Sequence, residues 1–186
     1  MNQLRTITYH NAGFLSLALG LLLLLASPAK ADSNVPMLAE LTDLEADLAY
    51  IQEEQIPLML FFHASYCGFC IKANEAYLEP MSEEERNQGE FIIRRVGVDF
   101  NDELLDANGE TTRARTLARD LNARIVPNVI MFGPDGEQLG KSIVGINVEE
   151  FYYHYLQRAV RTAKSCIEDD TQARCHEEAG RNLFDL

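Results

Sequence analysis

The segment Phe61-Phe62-His63-Ala64-Ser65-Tyr66-Cys67-Gly68-Phe69-Cys70 decides the fold. It completes an apolar run, Ile56 to His63, that has strand length and no polar alternation. Such a run is expected of a strand buried on both faces. It leads into a turn with two cysteines and then into a helical stretch to about Leu78, ended by Pro80. The first N–H groups of a helix lack partners within it, and the helix dipole is positive there, so a thiolate is stabilised. Cys67 is placed at that end, with Cys70 one turn inside and more buried. The first sulfur therefore reads as the nucleophile and the second as the resolving thiol. Thiolates in Cys-x-x-Cys motifs have pKa values lowered to about 3.5–7.5.

Working outward, Leu38, Leu41, Leu44, Leu48 and Ile51 recur at steps of three and four, which predicts a helix face. Thr42 and Glu45 form a capping-box pattern that starts the regular helix at Asp43. Beyond Pro80, Ser82 with Glu85 caps a short further helix, and Phe91 to Asp99 reads as a second buried strand interrupted by Arg94-Arg95. Asn101 to Glu110 is polar, with a turn signal at Asn108-Gly109. A helix is expected over Thr111 to Ala123. A strand follows at Asn128 to Phe132, then a tight turn at Gly133-Pro134-Asp135-Gly136, with Gln138 to Gly145 as the hairpin partner. Val148, Phe151, Tyr152, Tyr155, Leu156, Ala159 and Val160 mark an amphipathic helix whose aromatic stripe reads as core packing. Strands joined through helices should pair in parallel with right-handed crossovers, while the late hairpin adds antiparallel strands. The fold class is thus α/β, a central mixed sheet flanked by helices, with a C-terminal tail.

The 186 residues carry 16 Lys+Arg against 29 Asp+Glu, a formal charge of −13. This acidity excludes the basic footprint of a nucleic-acid binder and disfavours an anionic lipid surface. Residues 1–31 read as a secretory signal peptide: Arg5, an apolar stretch from Ala12 to Ala26, and the small residues Ala29 and Ala31 ahead of Asp32. An uncleaved anchor is the alternative, since the leading segment is weakly basic and Lys30 lies inside the cleavage pattern. Losing Arg5 and Lys30 would take the net charge from −13 to −15. Export would place the four cysteines in an oxidising compartment such as a periplasm. Residues 32–164 then form the domain and 165–186 the tail.

Cys166 and Cys175, nine apart on that tail, read as a structural disulfide, with a second redox relay as the sharper alternative. A continuous helix would hold them roughly 13 Å apart, so the chain must reverse near Asp169 to Thr171. A four-cysteine zinc site would need an eight-residue gap in this second pair, which fits poorly. Haem attachment is disfavoured because Ile71 stands where a histidine should follow. No metal and no cofactor are expected.

From about Thr42 to Arg161 the chain resembles the thioredoxin superfamily. The resemblance rests on the Phe61 to Cys70 segment, the Val98-Asp99 strand end, Ile125-Val126-Pro127, the Gly136-Glu137 turn and Val144-Gly145, in that order. It implies that Pro127 is a cis proline beside the sulfurs, that Val126 pairs its backbone with an extended substrate, and that Gly145 lines the same groove. Tyr66, Gly68 and Phe69 would complete that groove.

The departures carry information. Phe61 stands six residues before the first cysteine, where thioredoxin has a buried aspartate that serves the resolving thiol. Tyr66 replaces a tryptophan, and Gly68-Phe69 replaces Gly-Pro. The Gly-Phe pair is closer to the Gly-Tyr of the periplasmic disulfide isomerase, though the chain lacks that protein's dimerisation domain. The loop from Phe100 to Glu110 is longer than thioredoxin's. Exported single-domain thioredoxin-like reductases, including those of sulfur-oxidation and cytochrome c maturation systems, resemble this plan best.

The resemblance implies a thiol:disulfide oxidoreductase working in redox homeostasis, with a disulfide-bearing client protein and, for a reductase, a membrane electron donor. A monomer is expected. Direction depends on a potential between about −270 mV (thioredoxin) and about −120 mV (a strong oxidase). An oxidase or isomerase of the same fold, or a non-catalytic binding module, are the alternatives. His63 reads as a partly buried polar residue first and a group tuning the thiolate second. Arg95 either acts near the resolving cysteine or snorkels.

Overall fold

A computed structural model describes residues 35–169, 171, 175 and 181–186. The expected signal segment, residues 1–31, lies outside the described residues. From Pro36 onward the chain forms one compact unit. Its centre is strand β2, Leu58–His63, the middle strand of a five-stranded sheet. The other members are β1 (Leu38–Glu40), β3 (Ile92–Gly97), β6 (Asn128–Phe132) and β7 (Ile143–Val144), in the order β1-β3-β2-β6-β7. Leu58 to Phe62 are all buried, which explains a strand without polar alternation.

Strand β2 runs parallel to β3, with Phe61 opposite Arg95, and antiparallel to β6, with Phe62 opposite Asn128. The mixed sheet matches the expectation from element order. The Arg94-Arg95 pair, which looked like an interruption, follows from strand alternation: the two side chains leave on opposite faces. Arg94 is buried and grips Asp47 of helix α1 (Leu44–Glu54) with two bonds, Nε to Oδ2 at 2.8 Å and Nη2 to Oδ1 at 2.7 Å. Its Nη1 donates to the Pro36 and Ile93 carbonyls.

Three local expectations change. The residues around Leu38 form no helix; Leu38–Glu40 pairs in parallel with β3, Leu38 lying opposite Ile93. The free edge of β3 supplies a backbone partner that side-chain periodicity does not register. Helix α1 starts at Leu44 because Asp43 caps it, its carboxylate accepting from the Ala46 N–H at 2.9 Å.

The helix after Cys67 does not end at Pro80. It passes from α2 (Gly68–Ala73) through a π turn (Asn74–Leu78) into α3 (Glu79–Glu83). In the π turn the Glu79 N–H bonds to the Asn74 carbonyl, five residues back. The widened turn falls where a proline ring would crowd the preceding carbonyls, and Pro80 occupies the first turn of α3, where its missing donor costs least. Ser82 therefore starts no new helix; its hydroxyl donates to the Glu79 carbonyl within α3.

The polar stretch after Phe100 is also structured. Strands β4 (Glu103–Leu105) and β5 (Thr111–Arg113) form an antiparallel hairpin around Asn108-Gly109. Leu104 and Ala107 are its buried anchors, and the Leu105 N–H bonds to the Thr42 carbonyl. Helix α4 thus begins at Ala114 rather than Thr111 and ends at Asp120. The final helix, α5, is Glu149–Glu168, so it continues through the first residues of the expected tail. Tyr152, Leu156, Val160, Ala163 and Cys166 form its buried stripe, whereas Phe151 is exposed.

Beyond α5 the chain leaves the helix at Asp169, whose carboxylate accepts from the Thr171 N–H, and Cys175 returns to bond with Cys166. The Cα atoms of this disulfide are 5.7 Å apart, and both residues are buried. The reversal falls where the spacing required it. The Gly140 N–H then bonds to the Cys175 carbonyl, the Gln138 N–H to the Arg181 carbonyl, and the Leu183 N–H to the Gly136 carbonyl. Gly136 has φ +75°, and a Cβ there would lie 2.9 Å from the Phe184 ring, so turn and tail both demand glycine. Because Phe132 pairs with Leu58 and Asn128 with Phe62, this stapled region is at the end of the sheet away from Cys67.

Two outcomes follow from these contacts. Asp47→Ala strands the buried Arg94 guanidinium and should cost about 3–5 kcal/mol, measured as a lowered urea midpoint; an unchanged midpoint would refute the clamp. Replacing Cys166 and Cys175 together by serine should lower stability by about 2–3 kcal/mol while leaving the rate of Cys67 alkylation unchanged, as expected for a staple remote from the site.

Candidate active site

Strand β2 ends at His63, and the next residues turn into α2. Ser65 holds this turn against the end of β3: its N–H lies 3.1 and 3.2 Å from the two Asp99 carboxylate oxygens, and its hydroxyl donates at 2.6 Å. The Ser65 hydroxyl, and then its backbone N–H, hold the Asp99 carboxyl below the usual aspartate range. The Cys67 N–H bonds to the Ala64 carbonyl, which tightens the loop further.

Cys67 is the N-cap of α2. Its backbone is extended (φ −94°, ψ 97°), and its sulfur accepts from the Cys70 N–H at 3.1 Å. A cap residue presents its side chain to the orphan N–H groups of the first turn, and here that side chain is a sulfur. Cys67 and Cys70 are joined as a disulfide with Cα atoms 5.1 Å apart. Cys67 is half-buried, while Cys70 is 2% exposed. Of the two, Cys67 is the more exposed residue and Cys70 the hidden one, the order of burial expected from sequence.

The Val126-Pro127 bond is cis, as the resemblance implied. The register of β6 against β2 puts Pro127 at the same end of the sheet as the cysteine turn. Gly145 joins it there: its N–H bonds to the Pro127 carbonyl at 2.7 Å, and its φ is +74°. Val126 and Cys67 pack against one hydrophobic cluster that includes Cys70. Tyr66 and Phe69 are strongly exposed and Gly68 is exposed beside them. Ile125, just before Val126, is a further large apolar side chain in water, 73% exposed. Cysteine turn, cis proline and glycine thus gather at one end of the sheet with an apolar, accessible rim.

Behind Cys70 lies a cavity of about 180 Å³ lined by Cys70, Phe61, His63, Asn74, Arg95 and Phe100 among others. Arg95 Nε is 2.9 Å from Glu40 Oε1, and His63 Nε2 is 3.9 Å from Glu40 Oε2. Arg95 also reaches Asn74 Oδ1 at 3.4 Å. His63 stacks on Phe61 and meets Phe100 edge-on. His63, and less strongly Arg95, hold the Glu40 carboxyl below the usual glutamate range against the upward push of burial. Sequence reasoning singled out His63 and Arg95 but missed Glu40 and Asn74. Glu40 arrives through the pairing of β1 with β3, and no local signal marks that. The Ser65–Asp99 tie was missed as well, although Asp99 had been noted as a strand end.

The chain matches, over residues 44–159, the family described as a thioredoxin-like domain. A search of curated proteins returned no match. Among solved structures, thioredoxin F from spinach chloroplast is 16% identical, covering 69% of this chain and 96% of its own, with a TM-score of 0.45. A mutant thioredoxin from Halobacterium salinarum is 20% identical, covering 65% of this chain and 91% of its own, with a TM-score of 0.43. Thioredoxin O2 from Arabidopsis thaliana in its oxidized state is 18% identical, covering 66% and 94%, also at a TM-score of 0.43. With the family match spanning most of the chain, and the cysteine turn and cis proline assembled at one end of the sheet, the chain belongs to the thioredoxin-like domain family.

Proposed function

We propose that this protein is a thiol:disulfide oxidoreductase that reduces disulfides in exported client proteins through the Cys67/Cys70 pair. The observation that carries the reading is the asymmetry of that pair: an accessible sulfur capping a helix and a buried sulfur one turn inside it. The Cys67 thiolate attacks one sulfur of a client disulfide, and the other client sulfur leaves as a thiolate and takes a proton. Cys70 loses its proton and attacks Cys67. The bond between Cys67 and the client breaks, the reduced client departs, and the Cys67–Cys70 disulfide remains. Two electrons have moved from the protein to the client.

A membrane thiol:disulfide donor returns those electrons, because a periplasm-like space is kept oxidising. The signal-like residues 1–31 support export to such a space. Tyr66, Phe69 and Ile125 offer an apolar surface for the client, and Val126 next to the cis bond offers backbone to an extended segment. The opposite direction, disulfide formation, uses the same steps in reverse, and in isomerisation a second client thiol displaces Cys67 from the mixed disulfide, so that no net electrons move. Phe61 in place of thioredoxin's aspartate supports a potential above thioredoxin's and keeps that second reading in play.

Reduced protein should turn over a model disulfide, and Cys67→Ser should abolish turnover; equal rates in both would reject enzymatic chemistry and leave a binding module. Cys70→Ser in the native compartment should accumulate mixed disulfides that name the client, and accumulation of none would remove the client proposal. Separately, ultraviolet titration should find the Cys67 thiolate well below the free-cysteine value of about 8.5, as the helix N-terminus requires.

A further inference from the structure

The resolving step creates a demand that the cysteine pair alone does not meet. Cys70 is 2% exposed, and it must lose a proton before its sulfur can attack. Strand position Phe61 carries no acceptor. We propose that His63, oriented by Glu40, is the proton acceptor for Cys70. The proposal rests on the oxidoreductase reading above.

Three observations converge on it. His63 and Cys70 line the same cavity, and at about 180 Å³ this has room for water to relay a proton, each water taking roughly 30 Å³. The His63 Nε2 atom is buried without a hydrogen-bond partner, its charged neighbour being the Glu40 carboxylate at 3.9 Å. A buried, unsatisfied ring nitrogen is a costly feature for a purely structural residue. An imidazole can accept a proton at one ring nitrogen while the other is held by a carboxylate.

The charges around the ring are mainly acidic, three carboxylates against one guanidinium. Glu40 faces it from β1, Arg95 from β3, Asp99 from the turn after β3, and Glu75 with Asn74 from the π turn across the cavity. Arg95 Nε lies on the same Glu40 carboxylate, at 2.9 Å, so it fixes the orienting group. During resolution the Cys70 S–H proton passes to His63, and the Cys70 thiolate forms the bond to Cys67. The bond between Cys67 and the client breaks, and the departing client thiolate is protonated by His63 or by solvent. The ring ends neutral or gives up its proton to water, so protons and electrons balance.

Stopped-flow mixing of reduced protein with one equivalent of an aromatic disulfide that releases a coloured thiolate separates the two steps. The first release reports attack by Cys67. The second is unimolecular and reports attack by Cys70. In the wild type the second rate should fall in acid, as a step that needs a base must. His63→Gln should slow the second release about 100-fold, the low end of general-base effects, and flatten its pH profile, with the first release within about twofold of wild type. Glu40→Gln, on an edge strand and half exposed, should also slow the second release, by less, and does not depend on His63→Gln folding.

A second release with wild-type rate and pH profile in either folded variant would overturn the proposal. So would an equal loss in both releases. Absence of any first release from wild type would overturn the oxidoreductase reading itself, and this proposal with it.

Discussion

Strand β2 is paired on both sides and covered on both faces, and this double enclosure is the constraint on which the molecule depends. Leu58 to Phe62 leave no polar side chain to water, so their backbone groups must be satisfied by β3 and β6. Once they are, everything beyond the end of β2 is placed. The parallel partner delivers Arg95 and leads to Asp99, Pro127 immediately precedes the antiparallel partner, and the strand runs into a helix whose first cap is Cys67. A sulfur at that junction is anchored by strand pairing behind it and by Asp99 beside it, while remaining open to solvent in front.

The same enclosure divides the protein into two ends with different tasks. At the cysteine end the exposed rim carries the large apolar side chains Tyr66, Phe69 and Ile125. At the far end the second disulfide, the Gly136 turn and residues 181–186 close over the hairpin with backbone hydrogen bonds. Both residues of that second bridge are buried, which fits a covalent staple. The Arg94–Asp47 clamp does comparable work on one face of the sheet, fixing α1 to β3. Its neighbour Arg95 leaves on the other face, toward Cys70. One adjacent pair of arginines thus serves stability on one side and the site on the other.

Legibility in the sequence followed the range of the interactions. Helix α5 was readable because its buried face repeats with a short period, and strand β6 because a short apolar run, buried throughout, ends in a Gly-Pro-Asp-Gly turn. The cysteine turn was readable from a strand-length apolar run ending in Cys-x-x-Cys. Pro127 and Gly145 were readable only through resemblance, since nothing in their own neighbourhood announces a meeting with Cys67. Strand β1 was misread as helix because Leu38 fits a helical spacing with residues that do lie in α1. The passage through Pro80 was missed because a π turn depends on which carbonyl an N–H selects, and composition does not encode that choice. The β4–β5 hairpin was hidden by its polar residues and its small buried anchor.

By itself, the sequence determined the acidic surface, the buried central strand, the position of two sulfurs at a strand-to-helix junction and the reversal required between Cys166 and Cys175. Those features rest on local periodicity, chain geometry and composition, which act over a few residues. Only the tertiary structure decided what stands behind Cys70. Glu40, His63, Arg95 and Asn74 come from four separate segments, brought together by parallel pairing of β1, β3 and β2 and by the helix laid across them. Parallel strands are joined by long crossovers, so the residues that meet across them are far apart in the chain, and their chemistry exists only once the sheet has formed.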